Sequence, residues 1–238
     1  MNKHLKSVAD NLDSMKLGLD DTFKFHCTMC GECCLNREDI LLSSRDIYDM
    51  SKEMKTSTEE FFKKYCEVYV GEDSRIPIVR LKPKGTAKKC PLLKNQKCRV
   101  HNAKPVICAM FPVGRCLIAG ESGDGLCSNG QNCVQYIFNN PGCGDCSETH
   151  TVREWLESFG IPTHDLYFLE WSQLVTKMSK SFRKAEKIIK QSIMERLWTV
   201  TFAKIYLDYS TEEEFLFQFE TNAREVSNML DKIFGVMV

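Results

Sequence analysis

Hydrophobic residues recur every three or four positions along the C-terminal third of the chain. Trp171, Leu174, Val175, Met178, Phe182, Ala185 and Ile189 follow this step, and Phe219, Ala223, Val226, Leu230 and Phe234 repeat it. That spacing puts apolar side chains on one face of a helix. The segment after Pro162 is therefore expected to be helical, packed on what precedes it, and to supply no metal ligand. Two helices are expected earlier. Ser43 opens S-S-R-D ahead of Ile47, Tyr48 and Met50, and Ser57 with Glu60 makes a capping box ahead of Phe61, Phe62 and Tyr65. Thr151 with Glu154 opens a third, VREWLESF, which stops at Gly160 and Pro162.

Shorter patterns mark strands and turns. EVYV and IPIVRLK cluster β-branched residues and are separated by Gly71, Glu72, Asp73 and Ser74, as two short strands would be. Asn95 and Gln96 suit a tight turn between extended pieces near Cys90 and Cys98. Pro105 fits the first position of a short helix carrying Cys108, which Pro112 ends. Residues 1–22 read as a short helix or loose arm, and residues 114–148, rich in Gly, Asn, Ser and Cys, as loop draped over a site. The fold class expected is mainly α with small β-hairpins (α+β). It would comprise an arm at 1–22, a cysteine-rich metal-stapled core at 23–160 and a helical extension at 161–238.

Composition changes this picture in two ways. The 238 residues carry 32 basic and 32 acidic side chains, so no net charge steers the protein toward nucleic acid or an anionic membrane. The N-terminus has no apolar run of the secretory kind, and no stretch offers a membrane span, so a cytoplasmic location is expected. The second change comes from cysteine. There are 13, all between Cys27 and Cys146. Cytoplasmic thiols are kept reduced, which disfavours a disulfide framework. Core-filling cysteines would be scattered, so confinement to one half points to one local purpose, metal binding.

Cys27-x-x-Cys30-x-x-Cys33-Cys34 places four thiols within one short run, with Gly31 where the chain has to turn. A two-residue gap lets both sulfurs reach one ion. A thioredoxin-like redox pair would need a βαβ setting, and the flanks give none. Adjacent side chains diverge, so Cys33 and Cys34 are expected to face different neighbours. Cys90-Pro91, Cys98 and Cys108 form a second group. Cys27, Cys30, Cys90 and Cys98 are expected to converge in one pocket, closing about 60 residues of chain as a long-range staple. Tetrahedral zinc and iron–sulfur clusters both take four thiolates, and spacing does not choose between them. Lys82, Lys84, Lys88, Lys89, Arg99 and Arg115 could offset thiolate charge. His26 and His101 flank the groups as candidates for ligands or supporting donors, though a locally satisfied histidine is the commoner case.

The segments FHCTMCGECC, CPLLKNQKCRVHNAKPVICAMFP and PGCGDCSETHTVREWL, in that order, resemble the CxxCxxCC family of zinc- or iron-chelating proteins, the YkgJ type. That family is also described as iron–sulfur-cluster-containing, and the flagellin lysine N-methylases resemble it in carrying a similar cysteine domain. The resemblance covers about residues 23–160 and implies eight ligands: Cys27, Cys30, Cys33, Cys34, Cys90, Cys98, Cys108 and Cys143. The chain departs from the family at Lys104-Pro105, where Arg-Pro is common, and at Ala109, where Arg is common. Cys116, Cys127 and Cys133 are additional, and Cys146 competes with Cys143 for the eighth place.

Three functions fit this reading. One is a metal-binding protein with a structural or redox-active zinc or iron–sulfur site. Another is an enzyme, an iron–sulfur oxidoreductase or protein lysine N-methylase by resemblance. The third is an interaction module stapled by zinc. The motifs of nucleotide-binding and radical methionine-cofactor enzymes are missing from the sequence, which weakens the second.

Overall fold

A computed structural model of the chain describes residues 14–117 and 134–235. In chain order the strands and helices are β1 (Lys16–Leu17), β2 (Thr22–His26), β3 (Leu41–Leu42), α1 (Ser44–Glu53), α2 (Thr58–Tyr65), β4 (Cys66–Val70) and β5 (Pro77–Leu81). There follow β6 (Leu93–Lys94), β7 (Lys97–Cys98), α3 (Val106–Met110), β8 (Val113–Leu117), β9 (Val134–Phe138) and β10 (Asp145–Thr151). The chain ends in α4 (Val152–Ser158), α5 (Leu166–Ala185), α6 (Gln191–Phe202) and α7 (Phe215–Gly235). The fold is α+β, with helices joined to small antiparallel sheets. The chain divides into two units. Unit 1 is residues 1–33 and 106–166, and unit 2 is residues 34–105 and 167–238.

Unit 1 is built on two antiparallel sheets, ordered β1-β9-β8 and β10-β2. In Thr22-Phe23-Lys24-Phe25 strand alternation buries the two phenylalanines and exposes Thr22 and Lys24. Phe23 and Phe25 both meet Trp155 edge-on, at ring-centroid distances of 5.8 and 5.7 Å. Met110, Val113, Tyr136, Val152, Leu156 and Ile161 complete this core. The Trp155 indole N–H donates to the Met110 carbonyl at 2.9 Å, so a polar atom at the centre of the cluster is satisfied. The Thr151–Glu154 capping box forms in full, so α4 starts directly at the end of β10.

One expectation is refined here and one corrected. Within the stretch read as helix or arm at 1–22, Ser14 and Met15 are helical, Lys16–Leu17 is strand β1 and β2 begins at Thr22. The stretch read as loop at 114–148 contains β8, β9 and most of β10, and β8 pairs with β9 from Val113↔Phe138 to Leu117↔Val134. Val-Gln-Tyr-Ile-Phe is a strong strand sequence. The glycines and asparagines on either side of it dilute its signal.

Unit 2 follows the sequence reading closely. Ser43 caps α1 with a complete capping box to Asp46, and Ser57 accepts the Glu60 N–H at 3.2 Å at the start of α2. Sheet β3-β5-β4 lies beside them. Asn95 and Gln96 both adopt left-handed φ, 50° and 60°, which is what a two-residue turn between β6 and β7 requires. In α5 Leu174, Met178, Phe182 and Ala185 are buried, and in α7 Phe219, Val226 and Leu230 are. The Phe234 side chain lies outside the described residues. Tyr167 reaches the start of α1. Its hydroxyl pairs with the Ser44 hydroxyl at 3.0 Å and accepts the Arg45 N–H at 3.1 Å, one of the donors a helix start leaves open. Thr58 donates to the Leu207 carbonyl, and Trp198 to the Arg75 carbonyl, at 2.5 and 2.9 Å. Arg75 and Glu186 form an ion pair.

The Trp155 arrangement separates two costs. Trp155→Phe keeps an aromatic ring but leaves the Met110 carbonyl without its donor, and is expected to cost about 1–3 kcal/mol. Trp155→Ala also opens a cavity, at about 3–5 kcal/mol. Urea unfolding of the two variants, followed by circular dichroism, measures the difference.

Candidate metal centre

The first cysteine run leaves β2 and turns through Met29 and Gly31, whose φ values are 53° and 76°. A 3₁₀ turn at Glu32–Cys34 then closes it. Strand β10 pairs with β2 through Asp145↔His26, and this register delivers the Cys143–Cys146 loop to the same place. The Cys143 thiol hydrogen-bonds the Cys30 side chain and feels the charge of Cys33, Cys30 and Cys27. Burial first, and then these three neighbours, push it up to about 11. Cys30 moves the other way. The Glu32 N–H, then the Gly144 N–H and the Thr28 hydroxyl, stabilise its thiolate and hold it below the ordinary thiol value. In unit 1, Cys143 therefore contacts Cys30 and lies within electrostatic reach of Cys27 and Cys33.

Gly144 is a required part of this arrangement. Its φ is 70°, and a Cβ there would lie 2.5 Å from the His26 carbonyl oxygen and 2.7 Å from the Phe25 ring. Only glycine lets the loop pass this close and still present its N–H to Cys30. Gly144 and the Glu32 and Thr28 donors were not anticipated from the sequence. A glycine inside C-G-D-C was the available sign.

Cys34, Cys90 and Cys98 belong to unit 2. The Cys90 N–H donates to the Cys34 carbonyl at 2.8 Å, and the Asn36 and Arg37 N–H groups continue the contact to Ala87 and Lys88. Cys98 pairs across its hairpin with Leu93, whose N–H donates to the Cys90 carbonyl at 3.2 Å. Cys33 thus acts on Cys143 in unit 1, while Cys34 is tied to Cys90 in unit 2. Cys108 lies on α3, Cys116 on β8 and the exposed Cys146 at the start of β10. Cys127 and Cys133 lie outside the described residues.

One cysteine does not share the common purpose expected of all 13. Cys66 is buried at the start of β4, and burial pushes its thiol far up. It is a core side chain of unit 2. Three of the cations proposed to offset thiolate charge are engaged elsewhere. Lys88 pairs with Glu38, Arg99 donates to the Tyr65 hydroxyl at 2.8 Å, and Arg115 forms a largely buried pair with Asp165 at 2.7 Å. His26 faces carboxylates, with Nδ1 3.3 Å from Asp145 and Nε2 3.8 Å from Glu148. His101 lies in a 3₁₀ turn.

None of the eleven described cysteines is in a disulfide. Among the described residues, no three His, Cys, Asp or Glu side chains stand at metal-binding distance. The fit to a metal lies in the donor set. Thiolates are the ligands that zinc and iron–sulfur centres take. Several thiols in mutual repulsion call for a cation, and backbone N–H groups aimed at a sulfur are the outer support of a metal-bound thiolate.

These cysteines sit on a small α+β scaffold of helices and short antiparallel sheets. The CxxCxxCC model, described as a "putative zinc- or iron-chelating domain", matches residues 26–148, and the chain belongs to that family. The match does not extend to a relation with the flagellin lysine N-methylases. No curated protein and no solved structure matches the chain. No helix among the described residues is long and apolar enough to cross a membrane.

These environments predict an order of alkylation in metal-free protein. The thiolate is the reactive form and its fraction rises with pH. Cys30, held below the ordinary value of 9.0, reacts at lower pH than an unperturbed thiol, and Cys143, at about 11, reacts later. With iodoacetamide at pH 8, Cys30 is expected to react at least about tenfold faster than Cys143. Cys66 should label only after unfolding. Peptide mass spectrometry reads the order.

Proposed function

We propose that the protein binds zinc or iron through cysteine thiolates, with Cys27, Cys30, Cys33 and Cys143 as one four-thiolate ligand set. The observation that carries this reading is the approach of Cys143 to Cys30, with Cys27 and Cys33 acting on the same thiol. Family membership supports it independently. Cys34, Cys90, Cys98 and Cys108 complete the eight ligands that the family pattern implies. The metal, when bound, supplies the positive charge that lets neighbouring thiolates coexist, and in an iron–sulfur form it would also carry an electron. The chain's own residues do the rest. The Glu32 and Gly144 N–H groups hold the Cys30 sulfur, and the β2–β10 pairing fixes the loop that carries Cys143. A cytoplasmic location is part of the proposal, since reduced thiols persist there.

Metal analysis of anaerobically purified protein tests it. Brown protein with iron and sulfide identifies a cluster, and colourless protein with stoichiometric zinc identifies a zinc site. Cys143→Ser is expected to lower bound metal by about one site or to weaken retention about tenfold or more. Cys66→Ala should leave metal content unchanged. Metal removal should raise hydrogen exchange most at 27–34 and around Cys143, while α5 and α7 keep their protection. Equal metal content in the Cys143 variant and the parent would overturn the ligand set.

A further inference from the structure

The balanced total charge conceals an uneven distribution. Residues 74–120 contain no Asp or Glu, and residues 82–104, all in unit 2, carry seven lysines and one arginine. Three of these cations are engaged: Lys88 with Glu38, Arg99 with the Tyr65 hydroxyl, and Lys104. Lys82, Lys84, Lys89, Lys94 and Lys97 are exposed, and none of them forms an ion pair with a described residue. Glu38 and Asp39 belong to the stretch whose backbone lies against Ala87 and Lys88, and they are already paired with Lys88 and Arg37. Outside the described residues the sequence holds four acids, Asp10, Asp13, Glu121 and Asp124, too few to neutralise all five lysines.

Backbone pairing sets these lysines side by side. Lys84 and Lys89 exchange both main-chain hydrogen bonds, at 2.8 and 2.9 Å, and Lys94 lies opposite Lys97 across the β6–β7 hairpin. The Leu93 N–H donates to the Cys90 carbonyl at 3.2 Å, so a single turn joins the two pairs. Residues directly opposite in an antiparallel pair project from the same face with Cβ atoms about 5 Å apart, and like charges there are destabilising. Two such pairs in one short segment hold positive charge together against their own repulsion. An anionic partner relieves it.

The side chains choose among anions. Residues 82–104 contain no aromatic ring to stack on an unpaired base. Leu92 and Val100 are buried and Leu93 is half-buried, so no large apolar side chain projects for insertion into a bilayer. Carboxylate recognition favours the flat fork of arginine, whereas lysine acts on phosphate as a point charge. Asn95 and Gln96, exposed at the hairpin tip, add amide donors suited to phosphate and sugar oxygens. A two-stranded ribbon fits the major groove of B-form DNA, while that of A-form RNA is too narrow for side chains to read.

We propose that Lys82, the Lys84–Lys89 pair and the Lys94–Lys97 pair form a surface that binds the phosphate backbone of duplex DNA without reading its sequence. Contacts of this kind supply affinity and position but no base recognition. The inference does not depend on the metal reading, because exposed lysines carry it.

The test titrates a fluorescein-labelled DNA duplex of mixed sequence with the full chain as purified, followed by anisotropy. The logarithm of the binding constant is expected to fall linearly with the logarithm of salt concentration, with a slope of about −0.9 for each lysine that meets a phosphate. Lys94→Gln/Lys97→Gln should flatten that slope by about 2 and weaken binding about tenfold or more, and Lys84→Gln/Lys89→Gln should do the same. Lys94→Glu should weaken binding while raising the unfolding midpoint, because it turns a like-charge pair into an opposite one. Metal content should stay unchanged in every variant. The proposal is overturned if the duplex does not bind at about 50 mM salt, or if both double variants keep the parent slope. It is also overturned if polyglutamate, duplex RNA or phosphatidylcholine vesicles containing phosphatidylserine bind as tightly as the DNA. A lower unfolding midpoint in Lys94→Glu, or metal loss in the variants, overturns it too, since the lysines would then serve the fold or the thiolates.

Discussion

The antiparallel pairing of β10 with β2 is the constraint on which unit 1 depends. It joins residues more than a hundred positions apart, from Asp145↔His26 to Thr151↔Thr22. The same pairing buries Phe23 and Phe25 against Trp155, starts α4 through the Thr151 cap and carries Cys143 to Cys30. Core and site are therefore not separable. A shift of one residue in this register would turn the phenylalanines outward and move the Cys143 loop off the first cysteine run.

The thiol cluster pays for its crowding with backbone donors. Four sulfurs that repel one another gain from each N–H aimed at them, and Cys30 receives two, from Glu32 and Gly144. Both come from main chain held in unusual shape, a 3₁₀ turn in one case and a left-handed glycine in the other. Side-chain cations are less involved than their sequence positions suggest, because Lys88, Arg99 and Arg115 have structural partners of their own.

Helices were legible in the sequence because capping and periodicity are local. Ser43, Ser57 and Thr151 all cap where expected, and the stripes of α5 and α7 are buried as their spacing requires. The Asn95-Gln96 turn was legible for the same reason. Strands β8 and β9 were not, because a five-residue pattern inside a glycine- and asparagine-rich window is swamped by its surroundings. The meeting of Cys143 with Cys30 depends on strand register, which spacing within one run does not encode. Cys66 shows the converse. A cysteine in K-Y-C-E-V has no nearby partner cysteine, and its place at the head of β4 makes it core.

The family match ends at residue 148, whereas unit 2 joins residues 34–105 to 167–238. Tyr167, beyond the match, supplies hydrogen bonds at the start of α1, within it. The stretch that carries the family pattern and the stretch that folds as a unit are therefore different parts of the chain. Any relative that keeps the cysteine pattern but exchanges its tail must evolve a new partner for Ser44 and Arg45. In this chain the helical tail is held by the helix start it completes, not by the chemistry of the cysteines.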